Sequence, residues 1–208
     1  MHISKDYMID INGETWLVDA RKSGLYRPMA KAMLTQIFNM LSHYKRVHLV
    51  RFDLRLHTYT DKNIIITTFT RRLRKQLIKK YKVNKIGFIW VREQEKAKKQ
   101  HYHFALMLDG RTVQYPNILL NKIVVPLWTE LGGLPYLPDN AYYNLERDNR
   151  ETIQPAVLRV SYLAKGRGKG YKPPQTKNYG TSRIKPKEAT ISNTGKKTAI
   201  ANNTKEKT

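Results

Sequence analysis

The segment Ile86-Gly87-Phe88-Ile89-Trp90-Val91 is a continuous apolar run. A run of that length without a polar face reads as a central strand. It leads through Arg92-Glu93-Gln94-Glu95 into a polar turn, Lys96 to Gln100, and His101 to Leu108 follows as a second strand. Two such arms joined by a short polar turn make a hairpin. Side chains alternate along a strand, so Tyr102, Phe104, Leu106 and Leu108 form one apolar face, and His101 and His103 lie on the other.

The remaining chain supplies elements to cover this hairpin. Met29, Met33, Ile37, Met40 and Leu41 recur at helical spacing between Arg27 and Tyr44, with Pro28 near the first turn. From His48 to His57, Val50, Phe52, Leu54 and Leu56 alternate with Arg51, Asp53, Arg55 and His57. That is a strand with one buried and one polar face. Asp61 can cap a helix running to about Tyr81, with the stripe Ile65, Phe69, Leu73, Leu77 and Tyr81. A third helix runs from Leu119 to Leu131 and ends at Gly132-Gly133. Ala141 to Leu145 reads as an edge strand, and Glu151 to Lys165 as a last helix, stopped by Gly166-Arg167-Gly168-Lys169-Gly170. The order of elements gives an α+β layer fold with a mainly antiparallel sheet and flanking helices. The domain is placed at residues 27–183, after an N-terminal extension of residues 1–26. Residues 184–208 are expected to be a basic, disordered tail, because they offer little apolar surface to offset ordering entropy.

Lys and Arg total 39 against 16 acids, a formal charge of +23. That excess favours a polyanionic partner, nucleic acid first. No long apolar run supports a membrane partner. The chain has no cysteine. Disulfides and thiolate zinc sites are thereby excluded, and a cytosolic location is permitted. A metal would be held by His and carboxylate, a donor set that suits Mg²⁺ or Mn²⁺.

Two strand histidines are commonly surface or hydrogen-bonding residues. The acids on the facing arm make them metal candidates. A register pairing Glu95 with His101 and Glu93 with His103 puts all four on one face, whereas a one-residue slip brings in Gln94. Two imidazoles and a carboxylate leave positions open for water and a phosphate oxygen. On the last helix, Ile153, Val157, Val160 and Ala164 share a narrow sector, with Tyr162 nearly opposite and Lys165 within one turn of it. Tyr162 is therefore not required by the core stripe, although tyrosine usually packs. A phenol ionises near pH 10, so a cation beside it, from a metal or from Lys165, would favour a nucleophilic phenolate.

The blocks Trp90-Val91-Arg92-Glu93-Gln94-Glu95 with His101-Tyr102-His103, then Arg159-Val160-Ser161-Tyr162-Leu163-Ala164-Lys165, then Tyr179-Gly180-Thr181-Ser182-Arg183, resemble the inovirus gene-2-type replication proteins. These belong to the wider class of HUH rolling-circle replication initiators. The resemblance implies a ferredoxin-like or RRM-like sheet, with His101 and His103 as paired metal ligands and Tyr162 as the nucleophile beside Lys165. The third ligand falls on Glu93, with Glu95 in reserve. The strand from His48 to His57 takes the place of the class's first motif, and its Asp53 could approach the metal. The implied activity is nicking of single-stranded or origin DNA with a covalent 5'-phosphotyrosine link, in the cytoplasm of a bacterial host. No GxxxxGK[ST] sequence is present, so unwinding would need a host helicase, and synthesis a host polymerase.

Phosphate contacts are expected from Arg71, Arg72, Arg74 and Lys75, and from Arg167 and Lys169. Tyr142, Tyr143, Tyr171 and Tyr179 are candidates to stack on single-stranded bases. Two other readings fit parts of the sequence. A non-catalytic DNA- or RNA-binding protein explains the charge and leaves the histidine pair and Tyr162-Lys165 unexplained. An HUH transposase or relaxase would use the same chemistry for a different end.

Overall fold

The computed structural model describes residues 3–94, 100–169 and 172–188. Its elements are β1 (Met8–Ile11), β2 (Glu14–Leu17), α1 (Arg27–His43), β3 (Arg46–Leu56), α2 (Ile64–Tyr81), β4 (Gly87–Glu93) and β5 (His101–Asp109). Then follow α3 (Asn117–Leu119), a π turn (Leu120–Val124), α4 (Val125–Glu130), β6 (Gly133–Tyr136), β7 (Tyr142–Glu146), α5 (Arg150–Ser161), a 3₁₀ turn (Tyr162–Ala164) and β8 (Tyr179–Thr181).

The main sheet has the order β6-β3-β5-β4-β8, and every pairing in it is antiparallel. β7 shares the outer edge of β3 with β6, one along each half of the strand. The run β3-α2-β4-β5-(α3/α4)-β6 with spatial order β6-β3-β5-β4 is the ferredoxin-like arrangement expected from the resemblance. The fold is therefore α+β with a mainly antiparallel sheet.

Both faces of the sheet are covered. On one, Phe52, Leu54, Tyr102, Phe104 and Leu106 pack under α2 and α4. Phe104 stacks on Phe52 at 5.0 Å and meets Phe69 of α2 edge-on at 5.6 Å. On the other, Leu49, Ile89, Val91, Ala105 and Met107 pack under α1 and α5. The polar face expected on β3 is only half solvent-facing: Arg51 and Asp53 are buried beneath this second layer, whereas Arg55 and His57 are exposed. Alternation reports polarity, and the covering helices decide burial.

Local differences have physical causes. Asp61 does not cap α2; the N-cap is Asn63, whose side chain instead binds Tyr102, Arg92 and the Lys177 carbonyl. The third helix starts at Asn117 and is interrupted by the π turn. The last helix stops at Ser161 and tightens into the 3₁₀ turn, because the chain must bend to form the Leu25–Lys165 bridge. The N-terminal stretch forms the β1–β2 hairpin and seats Ile9, Ile11 and Trp16 in the layer under α1 and α5. Ile184, the first residue of the expected tail, is tied by its carbonyl to Gln36 and Asn39 of α1. Residues 189–208 of that tail lie outside the described residues.

Candidate metal centre and tyrosine site

Glu93 ends β4 and His101 begins β5, so the candidate ligands sit at the turn end of the hairpin. The register differs from the expected one. Glu93 faces His101 and Val91 faces His103, a shift of two residues. A two-residue shift preserves the face, so Glu93, His101 and His103 still converge. One ligand atom from each lies within 4.8 Å of the others. Glu95 lies outside the described residues.

The hydrogen-bond pattern explains what these groups can hold. His103 Nδ1 is 2.7 Å from Asp53 Oδ1, and its Nε2 is 3.0 Å from Glu93 Oε2. A neutral imidazole that donates Nδ1–H to Asp53 turns the Nε2 lone pair toward a carboxylate oxygen. Two lone pairs at that distance require a proton or a metal ion between or beside them. In an octahedral site with bonds of about 2.1 Å, adjacent ligand atoms are about 3.0 Å apart. The donor set and this spacing can accommodate a divalent metal ion. Such an ion would be held by Glu93, His101 and His103, with Asp53 orienting His103 from behind.

The tyrosine joins the same cluster. Tyr162 sits in the 3₁₀ turn after α5, 39% exposed. The expected core stripe of α5, Ile153, Val157, Val160 and Ala164, is buried. Lys165 Nζ lies 3.2 Å from the Tyr162 hydroxyl and 3.0 Å from Glu93 Oε1. The same amine stands 4.6 Å from the centre of the Tyr162 ring. A single lysine thus links the phenol to the candidate metal-ligand carboxylate.

Burial and charge set the ionisation states. Burial alone would raise Glu93, but the bond from His103 and the charges of Lys169 and Lys165 outweigh it, holding the carboxyl well below its usual range. Burial would lower Lys165, yet Glu93 outweighs that and keeps its pKa above the ordinary lysine value. Asp53 follows the same pattern: burial is overcome by His103 and Arg51, and the carboxyl is held down. Arg51 is lowered by burial and by the like charge of Arg159, against the pull of Asp53. Its Nη2 lies 3.3 Å from both Asp53 Oδ1 and His103 Nδ1.

Lys169 corrects an expectation. Its place among glycines and cations predicts a surface phosphate contact; it is 4% exposed, with Nζ 3.5 Å from Glu93 Oε2. Burial pushes its pKa down to about 8, and Glu93 offsets only part of that. Gly168 makes the approach possible: its φ is +79°, and a Cβ there would come within 2.6 Å of Glu93 Cγ. Arg71, Arg74 and Lys75 are exposed on α2, and Arg167 is exposed after the 3₁₀ turn. Arg72 is committed to Glu130, 2.6 Å from both carboxylate oxygens. Tyr142 is exposed, Tyr143 packs against the layer under α1, Tyr179 is half-buried in β8, and Tyr171 lies outside the described residues.

Two site residues are more central than the sequence suggests. Alternation along β3 makes Arg51 only part of a polar face, and Asp53 only a group near the metal. Their place behind His103 follows from β3 pairing with β5, Asp53 opposite His103. A helix and a strand separate these two strands in the chain, so no local signal announces that pairing.

The YagK/YfjJ C-terminal domain model matches residues 17–182, a span that contains the candidate metal cluster, Tyr162 and Lys165. No curated protein and no solved structure matches the chain. The match covers most of the sequence and nearly all of the sheet and its helices, and the chain belongs to the YagK/YfjJ C-terminal domain family.

Proposed function

We propose that this protein is a metal-dependent DNA nickase and strand transferase, with Tyr162 as nucleophile. The observation that carries the proposal is the linked array Tyr162–Lys165–Glu93–His103, each member within 3.2 Å of the next. A structural tyrosine has no need of a lysine held against a metal-ligand carboxylate. The resemblance to HUH replication initiators gives the same residues the same roles and adds rolling-circle initiation as the setting.

In this reading the Tyr162 oxygen attacks a backbone phosphorus, forming a phosphotyrosine bond. The bond from phosphorus to the 3' oxygen breaks, and that oxygen takes a proton to become a free hydroxyl. The phenol proton leaves to solvent from a side chain that stands at the surface. Lys165 is held as a cation by Glu93, so its part is to stabilise the developing phenolate charge. Asp53 fixes the His103 ring and its tautomer. A bound divalent ion supplies Lewis-acid polarisation of the phosphate. The phosphotyrosine conserves the energy of the broken bond, so a second hydroxyl can reverse the step and rejoin a strand.

The test uses purified protein, Mn²⁺ and single-stranded origin-like oligonucleotides. A covalent protein–DNA band is expected, and its loss is expected in Tyr162→Phe. The double variant His101→Ala, His103→Ala should lose cleavage while salt-sensitive DNA binding persists. A Tyr162→Phe protein that still forms the adduct overturns the nucleophile. Tight binding with no cleavage under any divalent ion would instead favour the non-catalytic nucleic-acid binder.

A further inference from the structure

The cations of α2 do not face the candidate metal cluster. Arg71 and Arg74 line a groove of about 1000 Å³ between α2 and the β8 edge of the sheet. The opposite wall is the segment that runs from Lys172 into β8, and it brings Lys172, Lys177 and Arg183 to the same groove. Among the described residues, five cations line it and no Asp or Glu does. Phe88 and Tyr179, both half-buried, lie in its wall, with the edge of Trp90 beneath Gly180. Asparagine and threonine side chains supply further polar groups, among them Asn63, Thr67 and Thr70.

We infer that this groove binds a single strand of DNA, the stretch flanking the phosphate that Tyr162 attacks; the inference rests on the nickase reading for the identity of the strand. Cations on two facing walls suit a phosphodiester chain lying between them. Half-buried aromatic rings suit unpaired bases, whose faces are hidden in a duplex. The groove's wall is also continuous with the site. The segment from Lys172 that forms it follows Lys169 closely in the chain, and the Arg92 amide, next to Glu93, donates to the Asn178 carbonyl at 2.8 Å. Lys172 lies close enough to Arg92 for their like charges to lower the lysine's pKa in addition to the effect of burial.

The test measures binding alone, in EDTA, on a Tyr162→Phe background, so loss of the nicking chemistry leaves it intact. A labelled oligothymidine is titrated by fluorescence anisotropy over a range of salt. The groove variant is Arg71→Gln, Arg74→Gln, Lys177→Gln. The control is Lys79→Gln, Lys80→Gln, Lys122→Gln, which removes three exposed charges outside the groove lining. The groove variant should weaken binding at least tenfold and flatten the slope of log affinity against log salt by about 2, at about 0.7 for each phosphate no longer neutralised. The control should change affinity less than threefold, and neither set should alter the melting temperature appreciably. Equal losses in the two sets, tighter binding of a duplex than of the single strand, or tenfold tighter binding of RNA would each overturn the inference.

Discussion

Lys165 at 3.0 Å, His103 at 3.0 Å and Lys169 at 3.5 Å all approach the carboxylate of Glu93. Among the described residues of this buried cluster, two carboxylates, Glu93 and Asp53, face three cations, Arg51, Lys165 and Lys169. A divalent ion entering here meets net positive charge, and Glu93 is the acid that balances Lys169. On the proposed reading, Lys169 would act as an internal cation competing with a metal for Glu93. Lys169→Met, near in length and without charge, should tighten Mn²⁺ binding at least tenfold by calorimetry, with some loss of melting temperature because Glu93 gives up one buried partner and keeps Lys165 and His103. Unchanged or weaker Mn²⁺ binding would show that Lys169 supports the ion. The residue scale is also where the sequence is most legible. Spacing and alternation make His101, His103, Tyr162 and Lys165 candidates, and the resemblance adds their roles and the choice of Glu93 over Glu95. Lys169 does not, because a lysine amid glycines and other cations reads as a surface phosphate contact until Gly168 is seen to fold it onto Glu93.

Between elements, the face of each strand is readable in the sequence and the register is not. Alternation fixes the side of the sheet on which a residue lies, whereas pairing depends on the turn, and residues 95–99 carry no turn signature strong enough to set it. A shift by two keeps Glu93 on the expected face, which is why the metal cluster survives the change of register. β3 shows the other limit: Arg51 and Asp53 of its polar face are buried in the layer under α1 and α5, while Arg55 and His57 stay exposed. His48, on the opposite face in step with Val50 and Phe52, is buried as well. Its Nδ1 lies 2.7 Å from Asn144 Oδ1 of β7, and burial holds its pKa below the ordinary value of 6.5, partly offset by that bond. The unfolded chain therefore takes up a proton below pH 6.5 that the folded chain resists. The stability associated with neutral His48 is complete above the ordinary value and is lost as pH falls toward the folded one, at no more than about 1.4 kcal/mol per pH unit. Urea midpoints measured from about pH 7 to about pH 5 should fall less steeply in His48→Gln than in the parent. Identical slopes would mean that burial does not shift His48 in the fold.

Over the whole molecule, the ferredoxin-like sheet separates two clusters of polar groups, to which the proposals above give two tasks. One face, under α1 and α5, carries the candidate metal cluster and Tyr162; the groove between α2 and the β8 edge carries a second set of cations. No helix among the described residues is long and apolar enough to cross a membrane. The formal charge of +23 is the clearest molecule-wide signal in the sequence, but charge alone does not distinguish Arg74, which lines the groove, from Arg72, which is spent on Glu130. Removing divalent metal should abolish cleavage while leaving strand binding within about threefold, because the groove cations act without the ion; parallel loss of both with EDTA would mean that the ion organises the binding surface as well. The covalent bond proposed for Tyr162 can be sought directly. Trypsin releases Val160-Ser161-Tyr162-Leu163-Ala164-Lys165 between Arg159 and Gly166. After reaction with an oligonucleotide, nuclease trimming and digestion, mass spectrometry should find the added nucleotide on this peptide, with fragmentation placing it on Tyr162. A nucleotide found on another tyrosine, or an unmodified Val160–Lys165 peptide in a preparation that has cleaved DNA, would contradict the assignment.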